Sequence, residues 1–156
     1  MKIAFANDHS GYHMREDVLL VLEALNIAVI DHGNNTPDRV DFPDLARKVC
    51  QSIRTAEADR GIMLCGTGIG AAIAANKVPG IRACVCHDVH SAHQGVEHDD
   101  MNVLCMGGKI IGPWHAKDIV EAFVKAEFST DEYFTQRAAK LNAMEIEAAR
   151  ELREKI

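Results

Sequence analysis

Residues 61–77 read GIMLCGTGIGAAIAANK. A short apolar run is followed by three glycines at alternate positions and then by an alanine-rich stretch, the pattern of a strand, a tight turn and a helix. Gly66, Gly68 and Gly70 let the chain turn sharply and bring backbone N–H groups close to a ligand, while the helix N-terminus adds positive potential. Such a loop cradles an anion. Here it opens with a thiol, Cys65. Alone, a cysteine that ends a strand is a small buried hydrophobe. Beside an anion loop its surroundings favour the thiolate, the basic and nucleophilic form of the side chain.

The same strand-then-helix alternation extends outward in both directions. Short β-like runs occur as KIAFAN from Lys2, IAVID from Ile27, RACVC from Arg82 and NVLCM from Asn102. Helix-length segments lie between and after them: MREDVLLVLEAL from Met14, DLARKVCQSI from Asp44, GAAIAANK from Gly70 and HAKDIVEAFVKAE from His115. Few strands alternate in polarity, which points to a parallel sheet covered on both faces. The expected fold is α/β: a single Rossmann-like three-layer αβα domain over residues 1–156, with a five-stranded parallel sheet and a C-terminal helix from about 133 to 155. In that helix Phe134, Ala138, Leu141, Ala148 and Leu152 recur near helical spacing, a face for the chain's own domain or for a partner subunit.

Right-handed crossovers place all strand C-termini along one edge, where open α/β sheets bind ligands. Four chemistry-rich stretches fall there: NDH from Asn7, CGTGIG from Cys65, CHD from Cys86 and MGGK from Met106.

The formal charge of -6 and pI near 5.7 leave no basic footprint for nucleic acid or an anionic membrane. No apolar run approaches the ~20 residues of a membrane span, and Met1 leads into KIAFAN without a signal-peptide pattern. The five cysteines are odd in number and lie mostly within apolar runs, which fits reduced thiols in a cytoplasm.

Two other chemistries compete for these residues. Gly66, Gly68 and Ala71 satisfy G-x-G-x-x-A, with Asp88 placed 20 residues beyond Gly68 as a ribose ligand, so a non-catalytic nucleotide-binding module is the rival reading. Against it, the unit lies mid-chain, and the thiol has no task. Cys84, Cys86, His87, His90, His93 and His98 suggest a metal, but no standard zinc spacing is present. Asp8 and His9 offer an acid–base pair, or a turn with Ser10 as helix cap. His98 has Asp99 and Asp100 beside it, which suits acid–base work. Lys109 and Arg137 are cations able to hold a phosphate.

With DH after strand one, CGTGIGAAIAANK after strand three and EHDDMNVL before strand five, the sequence resembles the type B ribose-5-phosphate isomerases, a family that includes the subunits of galactose-6-phosphate isomerase. VDFP from Val40 and GIRA from Gly80 extend the resemblance over nearly the whole chain. It implies aldose–ketose isomerisation of a small sugar phosphate with no metal or cofactor, in a homodimer or homotetramer whose active sites are shared between subunits. By resemblance Cys65 is the base that moves a proton between C2 and C1, Thr67 stands beside it, and Gly66, Gly68, Ile69 and Gly70 cradle the enediolate oxygens. His98 matches the ring-opening residue, Asp8 and His9 match substrate-binding positions with His9 near the phosphate, and Arg137 matches a phosphate-binding arginine.

Three positions depart from the family's pattern. Tyr133 and Lys109 stand where many members have arginine, and Asp99 stands where many have asparagine. The resemblance makes ribose 5-phosphate the leading substrate, and these departures make galactose 6-phosphate or a tetrose phosphate the alternative. Losing two guanidinium forks reshapes the phosphate grip.

Overall fold

Side-chain alternation within the strands assigns each helix to a face. The computed structural model describes residues 1–155. Strand β1 (Lys2–Asn7) sends Ile3 and Phe5 to one side and Ala4 and Ala6 to the other. Strand β3 (Arg60–Cys65) does the same with Ile62 and Leu64 against Met63 and Cys65. Strand β5 (Val103–Gly107) divides Leu104 and Met106 from Val103 and Cys105. Both faces are apolar, so the central strands read as continuous hydrophobic runs.

With β2 (Ala28–Asp31) and β4 (Ala83–Val85), these strands form one parallel sheet in the order β2-β1-β3-β5-β4. Helices α1 (Arg15–Ala24) and α4 (Val89–Asp99) carry the chain one way across the sheet over the Ile3/Phe5 face. Helices α2 (Phe42–Arg54) and α3 (Ile69–Ala75) carry it the other way over the Ala4/Ala6 face. Opposite directions over opposite faces keep every crossover the same hand, as parallel sheets require. Helix α5 (Pro113–Lys125) packs beside α1 and α4, with Ile119, Val120 and Phe123 fully buried.

The expected αβα fold is found, and two features add to it. The segment rich in histidine and cysteine contains α4, started by Asp88, whose carboxylate accepts the Ser91 N–H at 2.7 Å. The fifth strand also inserts between the third and fourth, an order that strand patterns do not specify.

Helix α6 (Glu132–Glu154) stands apart from this packing. Ala138 is its one buried residue, while Leu141, Met144, Ile146 and Leu152 are exposed. It rests against α4, and the Glu145 carboxylate accepts the Gly80 N–H with both oxygens, at 2.9 and 3.0 Å.

Candidate active site

The chain leaves β1 in one direction across the sheet and leaves β3 in the other, so a crevice opens between their C-terminal ends. Open α/β sheets bind ligands at such a switch point. On the β1 side, Asp8 donates its N–H to the Leu64 carbonyl at 3.0 Å, and its Oδ1 accepts the N–H groups of Ser10 at 2.7 Å and Gly11 at 2.9 Å. Asp8 is thus a buried turn former. Ser10 is not a helix cap, because the residue flanking α1 is Met14. His9 is exposed above the crevice, and its Nδ1 lies 3.5 Å from the Val40 N–H.

On the β3 side, Cys65 is a free thiol, 7% exposed, whose Sγ accepts the Gly68 N–H at 3.3 Å. Gly68 has φ +81°, and a Cβ there would sit 3.1 Å from the Met106 carbonyl carbon. Both the backbone conformation and the lack of space call for glycine. At Gly70 a Cβ would come within 2.8 Å of the Phe42 ring, so its smallness lets α2 and α3 pack. A Cβ on Gly66 would make ordinary contact with Ser10 at 3.4 Å and with the Lys109 side chain at 3.9 Å. Thr67 and Ile69 are exposed at the mouth, and Thr67 Oγ1 accepts the Ile69 N–H at 3.3 Å.

The loop is tied to the turn after β5. Gly108 donates to the Cys65 carbonyl at 2.8 Å and Lys109 to the Gly66 carbonyl at 3.1 Å, which places the exposed Lys109 side chain beside the crevice.

The other expected residues collect elsewhere. Helix α4 starts at the C-terminal edge of β4 and ends before β5 begins, so His98 and Asp99 lie at the opposite edge of the sheet. There the His98 ring stacks on Phe134, with centroids 4.0 Å apart and planes 11° apart. The carboxylate nearest His98 is that of Glu97 at 3.6 Å; Asp100 instead pairs with Arg82. Tyr133 meets Phe134 edge-on at 5.2 Å, and Arg137 lies over the Tyr133 ring and donates to its hydroxyl. One chain therefore carries two groups: Asp8, His9, Cys65, Thr67 and Lys109 at the switch point, and His98, Asp99, Tyr133 and Arg137 at the far edge.

The remaining motif residues have structural work. Asp88 Oδ2 accepts the Ser91 hydroxyl at 2.7 Å, so the acidic member of the dinucleotide fingerprint is occupied as a helix cap. Cys86 is buried in the core, and burial pushes its thiol up to about 12. Burial likewise pushes Cys50 up to about 11 and raises Cys105 well above an ordinary thiol. The contacts of Phe134, His13 and His87 escape sequence reading: a stack on His98 and two ring contacts to the β5 turn join residues far apart in the chain.

The Ribose/Galactose Isomerase family model matches residues 3–141. The chain belongs to that family. It is 39% identical over 144 residues to ribose-5-phosphate isomerase B of Escherichia coli, covering 92% of this chain and 96% of that protein. It is 37% identical over 145 residues to D-erythrulose-4-phosphate isomerase 2 of Mycolicibacterium smegmatis, covering 91% and 93%. Among solved structures, ribose-5-phosphate isomerase B of Clostridium thermocellum superposes with a TM-score of 0.90 at 40% identity, over 95% of this chain and 99% of that one. This family member is an enzyme, an aldose–ketose isomerase.

Proposed function

We propose that the enzyme interconverts ribose 5-phosphate and ribulose 5-phosphate through an enediolate, with Cys65 as the base. The supporting observation is the Cys65 sulfur at the switch point, shielded from solvent and accepting the Gly68 N–H at 3.3 Å. His98 assists opening of the cyclic sugar to the free aldehyde. The Cys65 thiolate then removes the C2 proton, and the C–H electrons form the C1–C2 double bond as the carbonyl pair moves to O1. The O2 hydroxyl proton is lost, O1 and C1 each take a proton, and a ketone stands at C2 with no net gain or loss of atoms. Backbone donors of the loop face the oxygen on which charge develops, and one such donor is worth about 2.7–4 kcal/mol. Lys109, His9 and Arg137 are the cations and donor that hold the phosphate.

The active site in this reading is shared between two copies. The far-edge group of one subunit faces the switch-point group of its partner, in a homodimer or homotetramer to which the exposed side of α6 contributes. The free, mostly buried thiols suit a reducing cytoplasm.

A tetrose or hexose phosphate is the second reading, favoured by the contact of Arg137 with Tyr133, which draws that guanidinium onto an aromatic ring. The deciding experiment assays the purified protein on aldose phosphates of four, five and six carbons in deuterated water. Ribose 5-phosphate should be converted with the highest kcat/KM, with solvent deuterium entering C1 of the ketose. Conversion of none of the panel would refute the isomerase chemistry; a higher value for another sugar would refute the substrate alone.

A further inference from the structure

Two histidines with no assigned role grip consecutive residues of the turn that supports the Cys65 loop. The Gly107 N–H donates to His87 Nε2 at 3.0 Å, and His13 Nε2 lies 2.8 Å from the Gly108 carbonyl oxygen. Their partners fix the tautomers. A backbone N–H can only donate, so His87 is neutral with its proton on Nδ1. A carbonyl can only accept, so His13 carries a proton on Nε2. The two imidazoles thus supply opposite halves of the hydrogen bonding.

What they hold bears directly on the catalytic loop. A Cβ on Gly107 would lie 2.8 Å from Thr67 Cα, so the loop rests on the Gly107 backbone. Gly107 is paired with Cys65 across the β3–β5 ladder, and the next two residues donate to the Cys65 and Gly66 carbonyls. On the other side of β5, strand β4 ends at Val85 and its chain turns away into α4. The last backbone bond from that side is the Cys86 N–H to the Cys105 carbonyl at 3.1 Å. Beyond it, the His87 ring takes the place of a strand carbonyl and receives the Gly107 N–H.

We propose that His87, with His13 opposite it, is a positioning residue for the Cys65–Gly68 loop: the pair sets the height of the β5 turn and thereby the aim of the thiol and the loop N–H groups. The kinetic part of this inference rests on the isomerase reading. A side chain that only fills space would be replaced equally well by any residue of similar size. A positioning acceptor is replaced only by another acceptor with reach, which glutamine provides through Oε1 and alanine does not.

The test compares full-length wild type, His87→Ala and His87→Gln for turnover of whichever sugar phosphate the wild type uses, and for the rate of Cys65 alkylation by iodoacetamide, read by peptide mass spectrometry. His87→Ala should lower kcat by about tenfold or more with KM within about twofold, and His87→Gln should return to within about threefold of wild type. Cys65 alkylation should shift by about threefold or more in His87→Ala and revert in His87→Gln. Equal behaviour of the two variants, or wild-type kcat in folded His87→Ala, would overturn the proposal. Nitrogen-15 NMR of the wild type needs no variant to fold: it should show the His87 proton on Nδ1 and a coupling across the hydrogen bond from Gly107 to Nε2. A His87 proton on Nε2 would overturn the proposal just as firmly. If the wild type isomerises no sugar phosphate, the isomerase reading fails, while the alkylation and NMR measurements still decide whether His87 positions the loop.

Discussion

The guanidinium carbon of Arg137 lies 3.7 Å from the centroid of the Tyr133 ring, one helical turn away, and the same guanidinium donates to the Tyr133 hydroxyl. An arginine stacked in this way has given up part of its freedom to meet a phosphate, because stacking and the hydroxyl both orient the fork. The residue in place of a family arginine is thus an active partner of the remaining one.

Replacing Tyr133 tests what that pairing does to substrate choice. Tyr133→Arg should raise kcat/KM for ribose 5-phosphate, since a charge-assisted contact to phosphate contributes about 1.5–3 kcal/mol. Tyr133→Phe keeps the ring and removes the hydroxyl acceptor, so its kcat/KM separates stacking from hydrogen bonding. Steady-state kinetics on the four-, five- and six-carbon aldose phosphates supply the comparison. An unchanged preference in both variants, with circular dichroism unaltered, would show that Tyr133 has no part in selectivity.

Cys65 itself should be needed for turnover and dispensable for folding. Cys65→Ala removes the proposed base and little side-chain volume, so kcat should fall by about 10²–10⁴-fold while KM and melting temperature change little. Activity within a few-fold of wild type would remove Cys65 from the role of base and leave its strand-end packing as its function.

The five thiols should also differ in reactivity. Cys50, Cys86 and Cys105 are buried and their thiols are raised by that burial, so near neutral pH they stay protonated and unreactive. Cys84 is exposed, yet partial burial of its thiol and the Asp99 charge raise it as well. Iodoacetamide near neutral pH should therefore label Cys65 first, and saturating sugar phosphate should protect it. As pH rises the thiolate fraction of Cys84 grows, and it should be labelled next. Mass spectrometry of the cysteine peptides over a time course checks both statements, and labelling of Cys84 before Cys65 would contradict them.

Much of the architecture is local and therefore legible. Alternation of Ile3 and Phe5 against Ala4 and Ala6 marks a strand buried on both faces, and the glycine spacing after Cys65 marks the turn into α3. The sheet order is not local: nothing in VLCMG says that it pairs between β3 and β4, since both neighbours are equally apolar. The same limit applies to the candidate site. Cys65 and Asp8 announce themselves by the loops around them. The His98–Phe134 stack joins two elements with no shared motif, and the His87 contact depends on where β4 stops. Within the histidine-rich segment, Ala92 and Val96 form the buried face of α4, and His90, His93 and His98 are spaced by that helix.

The division of the chain into two groups of residues leads to the sharpest expectation. Cys65 ends β3, whereas His98 precedes β5, and the two strands run side by side in the same direction. The five residues of β5 alone separate the two edges by about 16 Å at roughly 3.3 Å per residue, too far for one small sugar phosphate to bridge. If both residues act on one substrate, they come from different subunits. In a two-fold dimer each site then takes Cys65 from one chain and His98 from the other, so Cys65→Ala and His98→Ala each disable both sites. A mixed dimer differs: one site collects both lesions, and the other collects neither. Co-refolding the two inactive variants in equal amounts makes about half the dimers mixed, each with one intact site, so activity should return to about a quarter of wild type. Verified subunit exchange with no recovery, from variants that are each nearly dead alone, would show that the site is not shared: Cys65 and His98 would then act within one chain, or His98 would not be catalytic.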